Sequence, residues 1–420
     1  MPPPRQTIRA FLAKARSALT APPSQRPAPL TFVVGNESAD LDSLCSALLL
    51  AYFRTHHHSN SNNGILHIPL CHLPRADLAL RPEFHAVLAD AGAGPDDVLT
   101  LDELPSSPHL RPEDTRWLLV DHNVLTGSLG ALYGDRAIGC IDHHPDEGGN
   151  VLRVDDISEP LRIIEKTGSC TSLVLEHCKD IWDALSAEEV RGKEGTETTS
   201  IDTQLARLAL GPILIDTNNL GDEHKTTEHD VHAVGIAESK IRGAGDVSYD
   251  RAAFFARVAA LKEDISRMSF RDIFRKDYKE WTDERTGLKL GTAAVPRSFA
   301  YVVGQKAPVA GEGDFVEELG RWGEEKGLDI NAVLDGFVDE DGVFHREVLV
   351  WARGSEKAVR AAKAFAEVNA EKLQLRTWGD GKLDLDDETE GWRRCWDQGR
   401  LEHSRKQIAP MLRDAMAGSD

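Results

Sequence analysis

The sequence lacks the features that mark several protein classes. No apolar run approaches the roughly 18 uninterrupted residues of a membrane helix, so no membrane association is expected. No secretory leader is expected, because the first residues contain no apolar core of that kind. The six cysteines (Cys45, Cys71, Cys140, Cys170, Cys178 and Cys395) form no CxxC pair, which excludes zinc ribbons and thioredoxin-like redox chemistry. Several sit in apolar runs, as reduced core thiols in a cytosol-like compartment do. A basic excess is absent. Lys and Arg number 49 against 69 Asp and Glu, for a net charge of −20. Such a surface repels nucleic acid and anionic membranes, so no nucleic-acid partner is expected. Neither a G-x-S-x-G elbow nor a P-loop pattern is present. Acidic residues are missing from positions 1–36, which carry Arg5, Arg9, Lys14, Arg16 and Arg26. That start reads either as a mitochondrial presequence or as an amphipathic helix with Ile8, Phe11, Leu12 and Leu19 on one face. Sparse serine and the prolines that follow favour the helix, and the expected location is cytoplasmic, with mitochondrial import as the alternative.

What is present points to two α/β domains. The chain has 420 residues, 41% hydrophobic and 28% charged, enough for more than one core. Leu30–Val34 is a short apolar run, followed by a polar turn and then by apolar residues at Leu41, Leu44, Cys45, Leu48 and Tyr52, a helical spacing. Further strands are expected at Leu66–Leu70, Trp117–Val120 and Ala137–Ile141. Strands alternating with helices predict a parallel sheet. Residues 187–201 read as a polar surface insertion. From about residue 235 the pattern changes to a long charged helical stretch reaching Trp281. Strands follow near Leu288–Val295 and Ser298–Val303, a helix over Glu317–Gly327, strands near Ala332–Val338 and Glu347–Trp351, and a helix from Ser355 to Leu373. The expected domains are 1–236 and 237–420.

Four apolar runs end in an acidic residue with polar neighbours. They are Val33-Val34-Gly35-Asn36-Glu37-Ser38-Ala39-Asp40-Leu41-Asp42, Leu118-Leu119-Val120-Asp121-His122-Asn123, Gly139-Cys140-Ile141-Asp142-His143-His144 and Ile213-Leu214-Ile215-Asp216-Thr217-Asn218. Ligands of open parallel sheets bind at the carboxyl ends of strands, where such residues converge. Carboxylates with a few imidazoles suit Mn²⁺ or Mg²⁺ better than a closed zinc site. An Asp after a strand is by itself often a turn or cap residue; the weight lies in the four together. Bound metals would also let an acidic protein hold an anionic substrate. Gly168-Ser169-Cys170-Thr171-Ser172 offers backbone N–H groups to phosphate or serves as a plain helix cap, and the sequence leaves both open. His122 and Asn123 are candidates for orienting Asp121. His56-His57-His58 lies in a Ser/Asn-rich loop without matching carboxylates and reads as loop.

These motifs resemble those of the DHH phosphoesterase family, named for its Asp-His-His triplet. Residues 35–43 and the Leu-Ile-Asp-Thr segment at 214–217 are similar to the yeast-type exopolyphosphatase branch. Arg275-Lys276-Asp277-Tyr278-Lys279 and Ser404-Arg405-Lys406-Gln407-Ile408-Ala409-Pro410 resemble two basic motifs of the second DHH-associated domain, shared with manganese-dependent (family II) inorganic pyrophosphatases. The resemblance implies an N-terminal parallel-sheet DHH domain, a smaller α/β DHH-associated domain, and an active site in the interdomain cleft. It implies two divalent ions, Mn²⁺ or Mg²⁺, one held by Asn36, Asp40 and Asp121, the other by Asp42, Asp121, His143 and Asp216. His144 would act at the scissile oxygen, and Lys279, Arg405 and Lys406 would clamp phosphates. Taken alone, Arg405-Lys406 reads as a solvated helix end. Arg75, Arg81 and Arg353 are candidates for a basic path, and His345-Arg346 for reaching the cleft. The implied activity is removal of terminal orthophosphate from linear polyphosphate by a hydroxide bridging two metals, in a monomer. Alternatives are an inorganic pyrophosphatase, against which Asn36 in place of that group's His argues, and a Prune-like short-chain polyphosphatase or cyclic-nucleotide phosphodiesterase, a group that departs at the His-His pair intact here.

Overall fold

The computed structural model describes residues 5–57, 65–105, 109–149, 161–192, 200–304, 312–387 and 389–419. The chain divides into two compact units, Met1–Leu261 and Lys262–Asp420.

In the first unit a helix, α1 (Ile8–Thr20), precedes β1 (Leu30–Val34), α2 (Leu41–His56), β2 (His67–Leu70), α3 (Pro82–Asp90), β3 (Thr115–Val120), α4 (Gly127–Tyr133), β4 (Ala137–Asp142) and β5 (Leu161–Ile164). Four long helices complete it: α5 (Cys170–Gly192), α6 (Ile201–Asp216), α7 (Glu228–Gly243) and α8 (Arg251–Glu263). The strands form one parallel sheet in the order β2-β1-β3-β4-β5. Strand order reverses between β1 and β3, and in open α/β sheets such a switch point is where the loops part to admit a ligand. Every residue of β1 and β4 is buried, as expected for strands covered on both faces. Helix α2 is buried on nearly all sides, because it packs against β1 and β2 as well as α5 and α6.

The helix expected near the N-terminus is α1, whose Ile8, Phe11 and Leu12 join the same core as α2. Arg16 of α1 pairs with Glu103, which also pairs with Arg75. Arg75 further donates to the Val98 carbonyl at 2.8 Å, so this candidate for a basic path is spent on structure. Partial burial works against ionising Glu103, yet bonds from Thr100, Arg16 and Arg75 pull its carboxyl down to about 2. A carboxyl with a depressed pKa contributes stability above its ordinary value, and that contribution disappears as pH falls through the depressed one. The melting-temperature difference between wild type and Glu103→Gln should therefore be largest above about pH 5 and vanish toward about pH 2. Thermal unfolding across that range checks it.

A boundary after residue 236 would cut α7. That helix and α8 bury Ala233, Val234, Ile236, Ala237, Ile241, Phe254 and Val258 in the first unit's core, which is why this unit runs on to Leu261. Of the polar insertion expected at 187–201, residues 193–199 lie outside the described residues, as does His58. All six cysteines are buried and free of disulfides. Among the described residues no helix is long and apolar enough to cross a membrane.

The second unit contains α9 (Phe270–Lys276), β6 (Tyr278–Thr282), β7 (Lys289–Val295), α10 (Phe299–Gly304), α11 (Phe315–Lys326), β8 (Ile330–Asp335), β9 (Phe337–Val338), β10 (Phe344–His345), β11 (Glu347–Ala352), α12 (Glu356–Leu373), β12 (Leu375–Thr377), β13 (Leu385–Asp387), β14 (Gly391–Gln398) and α13 (Arg405–Ala417). The main sheet runs β12-β14-β11-β8-β7-β6, with β13 also pairing β14. Two expectations change here. The strand expected near Ser298–Val303 is helix α10, which buries only Phe299 and Val302, one turn apart. The long helical stretch to Trp281 breaks into three helices and then β6, whose Tyr278–Thr282 pair antiparallel with β7, so Lys279 stands on a strand.

Candidate metal centre

The site is built on the switch point. The loop after β1 carries Asn36 and Asp40, and the turn after β3 carries Asp121. The end of β4 carries Asp142, His143 and His144. Among the described residues, Asp121, His143 and His144 place ligand atoms within 4.8 Å of one another.

Asp121 has φ +61°, a left-handed conformation that Asp and Asn tolerate best among residues with a side chain. It is 2% exposed. Its Oδ2 accepts from Ser43 Oγ and from Asn36 Nδ2, each at 2.7 Å. Its Oδ1 lies 3.1 Å from His143 Nε2 and 3.5 Å from His144 Nδ1. Burial alone would raise its pKa, but the bond to His143 and the positive potentials of His144 and His143 outweigh that and hold the carboxyl far below the usual range. Gly35 lets this happen: a Cβ there would stand 2.6 Å from Ser43 Cβ and push away the hydroxyl that holds Asp121.

The orientation of His143 is informative. Its Nδ1 lies 3.0 Å from the Thr167 carbonyl, which can only accept, so Nδ1 carries the proton. Were the ring neutral, its Nε2 lone pair would face Asp121 Oδ1. Two acceptors at 3.1 Å repel unless a proton or a cation lies between them. That spacing is near the roughly 3 Å between adjacent ligands of a six-coordinate ion with bonds of about 2.1 Å. Imidazole nitrogen beside carboxylate oxygen is a donor set suited to Mn²⁺ or Mg²⁺, so these residues fit such an ion.

Asp142 organises the triplet. It is fully buried and accepts from the backbone N–H of His143 (2.7 Å) and of His144 (3.1 Å), from His144 Nδ1 (2.9 Å) and from Asn123 Nδ2 (2.6 Å). Asn123 thus steadies Asp142, and Asn36 and Ser43 steady Asp121, where the sequence had suggested His122 and Asn123 for Asp121. His122 turns its Nδ1 to the Val120 carbonyl at 2.9 Å, and burial pushes its imidazole down to about 4.

The remaining candidate ligands stand outside the tight group. Asn36 Oδ1 accepts from the backbone N–H of Ser38 and Ala39. Asp40 caps α2, accepting from Ser43 N–H at 3.0 Å. Asp42, on the first turn of α2, accepts from Ser169 Oγ, Cys170 N–H, Thr171 N–H and Thr171 Oγ1 at 2.7–2.9 Å. The open question of what the Gly168–Ser172 segment binds thus has an answer: the N–H groups of Gly168 to Thr171 serve carboxylates of the protein itself. Asp216 ends α6, so the fourth motif closes a helix, not a strand. Asp40, Asp42 and Asp216 nevertheless all act on one buried group. The buried Cys45 thiol is raised first by burial and then by the charges of Asp42, Cys71, Asp40 and Asp216.

Arg81 is buried and donates to the Ser38 and Ala39 carbonyls, so it braces the β1 loop. In the second unit, Arg405 opens α13 and binds Asp277 through both its carbonyl (2.8 Å) and its carboxylate (2.7 Å). This ties the segment leading into β6, and with it Lys279, to the helix start bearing Arg405 and Lys406. Arg353 stacks on Trp351 and donates to the Gly320 carbonyl, and His345 pairs with Asp339 at 2.7 Å.

Comparison with known proteins agrees with this geometry. The DHH family N-terminal domain matches residues 31–213 and the DHHA2 domain matches residues 257–415. A Schizosaccharomyces pombe protein named "Putative exopolyphosphatase" is 31% identical over 412 residues, spanning 98% of this chain and 96% of that one. The chain belongs to the DHH family. An Archaeoglobus fulgidus "Probable manganese-dependent inorganic pyrophosphatase" is 24% identical over 271 residues, 63% of this chain and 71% of that one. The fold is shared with a Methanococcus jannaschii crystal structure titled a putative family II inorganic pyrophosphatase, at TM-score 0.54 and 22% identity over 92% of this chain and 100% of that one. The protein is a DHH-family hydrolase.

Proposed function

We propose that this hydrolase is an exopolyphosphatase that releases orthophosphate from the ends of linear polyphosphate with two divalent ions, Mn²⁺ or Mg²⁺. The observation that carries the reading is the intact group of Asp121, His143 and His144 in a chain similar along 98% of its length to the S. pombe protein. Asn36, Asp40 and Asp121 would hold one ion, and Asp42, Asp121, His143 and Asp216 the other. Bound ions supply an acidified water and offset the charge of the phosphoryl oxygens.

The protein's own groups do the rest. Asp121 stays ionised because Ser43, Asn36 and the two imidazoles surround it. Thr167 keeps His143 in one tautomer. His144 commits Nδ1 to Asp142, which leaves Nε2 as the nitrogen that would give a proton to the departing phosphate oxygen. Lys279, Arg405 and Lys406 are the proposed phosphate contacts. Arg405 and Lys406 occupy the first turn of α13, where the helix dipole is already positive. The Asp277 carboxylate already offsets part of this charge at Arg405, and a bound phosphate would offset more of it.

Phosphate release from long polyphosphate, tripolyphosphate and pyrophosphate, each with Mn²⁺, Mg²⁺ or chelator, tests the reading. Expected is metal-dependent release that is at least about tenfold faster from polyphosphate than from pyrophosphate, a difference of about 1.4 kcal/mol in barrier. A preference for pyrophosphate would overturn the substrate, and turnover unaffected by chelator would overturn the metals.

A further inference from the structure

We propose that Asp230 on α7 is a positioning residue for the metal centre: it locks the segment Thr167–Ser172, and through that segment it orients His143 and Asp42. The proposal rests on the metal-centre reading above. Asp230 lies outside both matched domains, between residue 213 and residue 257.

Asp230 is fully buried and is enclosed by hydrogen-bond donors. Its Oδ1 accepts from Thr167 Oγ1 (2.8 Å), Ser169 N–H (3.2 Å) and Ser172 Oγ (2.7 Å). Its Oδ2 accepts from Gly168 N–H (2.9 Å) and from Thr227 N–H (2.8 Å) and Oγ1 (2.9 Å). The Thr227–Asp230 capping box fixes the carboxylate at the start of α7. Gly168 is seated directly on it: a Cβ there would stand 2.6 Å from Thr217 Cγ2 and 3.0 Å from Asp230 Oδ2.

The same short segment has other groups to give, and it gives them to two proposed ligands. The Thr167 carbonyl takes the Nδ1 proton of His143. Ser169, Cys170 and Thr171 hold Asp42. Three residues thus lie between the grip on His143 and the far end of the grip on Asp42, and one carboxylate pins the stretch. Partners that fix a ligand's tautomer and direction matter to metal affinity almost as much as the ligand. A carboxylate is required, because all six neighbours donate. An amide of the same shape would turn an NH₂ group against donors on one side.

The test is Mn²⁺ binding by calorimetry to purified, metal-free protein, with thermal unfolding and near-UV circular dichroism alongside. Asp230→Asn should keep the folded spectrum, while Mn²⁺ affinity drops about 10- to 100-fold. Glu238→Gln, on the same helix, removes the pairing with Arg251 and should lower stability without moving Mn²⁺ affinity. Should Asp230→Asn fail to fold, Thr167→Val removes one of the six bonds at constant shape and should still weaken Mn²⁺ binding several-fold. A folded Asp230→Asn that melts earlier yet binds Mn²⁺ like wild type would make Asp230 purely structural and overturn the proposal alone, as would an unchanged Thr167→Val affinity. Wild-type protein that binds no Mn²⁺ would overturn the metal-centre reading and the proposal with it.

Discussion

Asp121→Asn should abolish turnover and leave the fold in place. The position has φ +61°, and Asn accepts that conformation as readily as Asp, so the turn after β3 survives. Size and shape are kept. The new amide can still accept from Ser43, and its NH₂ can donate to the Nε2 of a neutral His143. What is lost is the charge that two ions would share. Expected is a loss in kcat of about 10³-fold or more, equal to about 4 kcal/mol of transition-state stabilisation. Phosphate release and near-UV circular dichroism on the same preparation check both halves. A folded Asp121→Asn variant with near-normal kcat would remove Asp121, and the shared-ion arrangement with it, from the chemistry. Alanine is the poorer probe, because it adds backbone strain of about 1 kcal/mol at this φ to the loss of charge.

The parts of the site that the sequence reveals are those written consecutively. Asp142-His143-His144 and the 35–43 loop each follow a strand whose apolar run announces it, so their side chains could be placed at the sheet's carboxyl end before any coordinates. Asp121 was legible for the same reason. The fourth motif was not. The run Leu205–Ile215 has only Arg207 as a charged residue because α6 is packed against α2, α3, α5 and α7, and a helix covered on nearly all sides shows little amphipathic period. Residues Ser298–Val303 failed in a related way, since five consecutive apolar and aromatic positions after Ser298 suit a strand or a helical turn equally. Contacts made through the main chain left no trace at all. The Thr167 carbonyl that sets the His143 tautomer could belong to any residue. Asp230 had a signal in the Thr227-x-x-Asp230 box, but that pattern marks a helix start and says nothing about which loop the carboxylate will hold. The second unit's register, with Lys279 on β6 opposite Thr292, depended on pairing with β7, which a charged helical pattern from 235 onward concealed.

Asp42→Ala should fail differently from Asp121→Asn, and the difference separates a ligand from a ligand that is also part of the frame. Both carboxylates are 2% exposed. Asp121 Oδ1 faces two imidazoles, whereas Asp42 Oδ1 is taken up by Ser46, Ser169 and Thr171, and Oδ2 accepts Cys170 N–H at 2.7 Å. Asp42 therefore caps α5 from another helix. Removing it strands the Cys170 and Thr171 N–H groups in the interior, where each orphaned donor costs about 1–3 kcal/mol. The metal-free protein should then lose about 3–5 kcal/mol of stability, visible as a lower urea midpoint, while turnover also collapses. The order matters: the stability loss must already be present without metal, since the bonds to α5 do not involve it. Metal-free Asp42→Ala as stable as wild type would mean that α5 finds other caps and that Asp42 serves the ions alone. A variant destabilised without metal but active once loaded would leave Asp42 as frame only, and the second ion would then need another carboxylate.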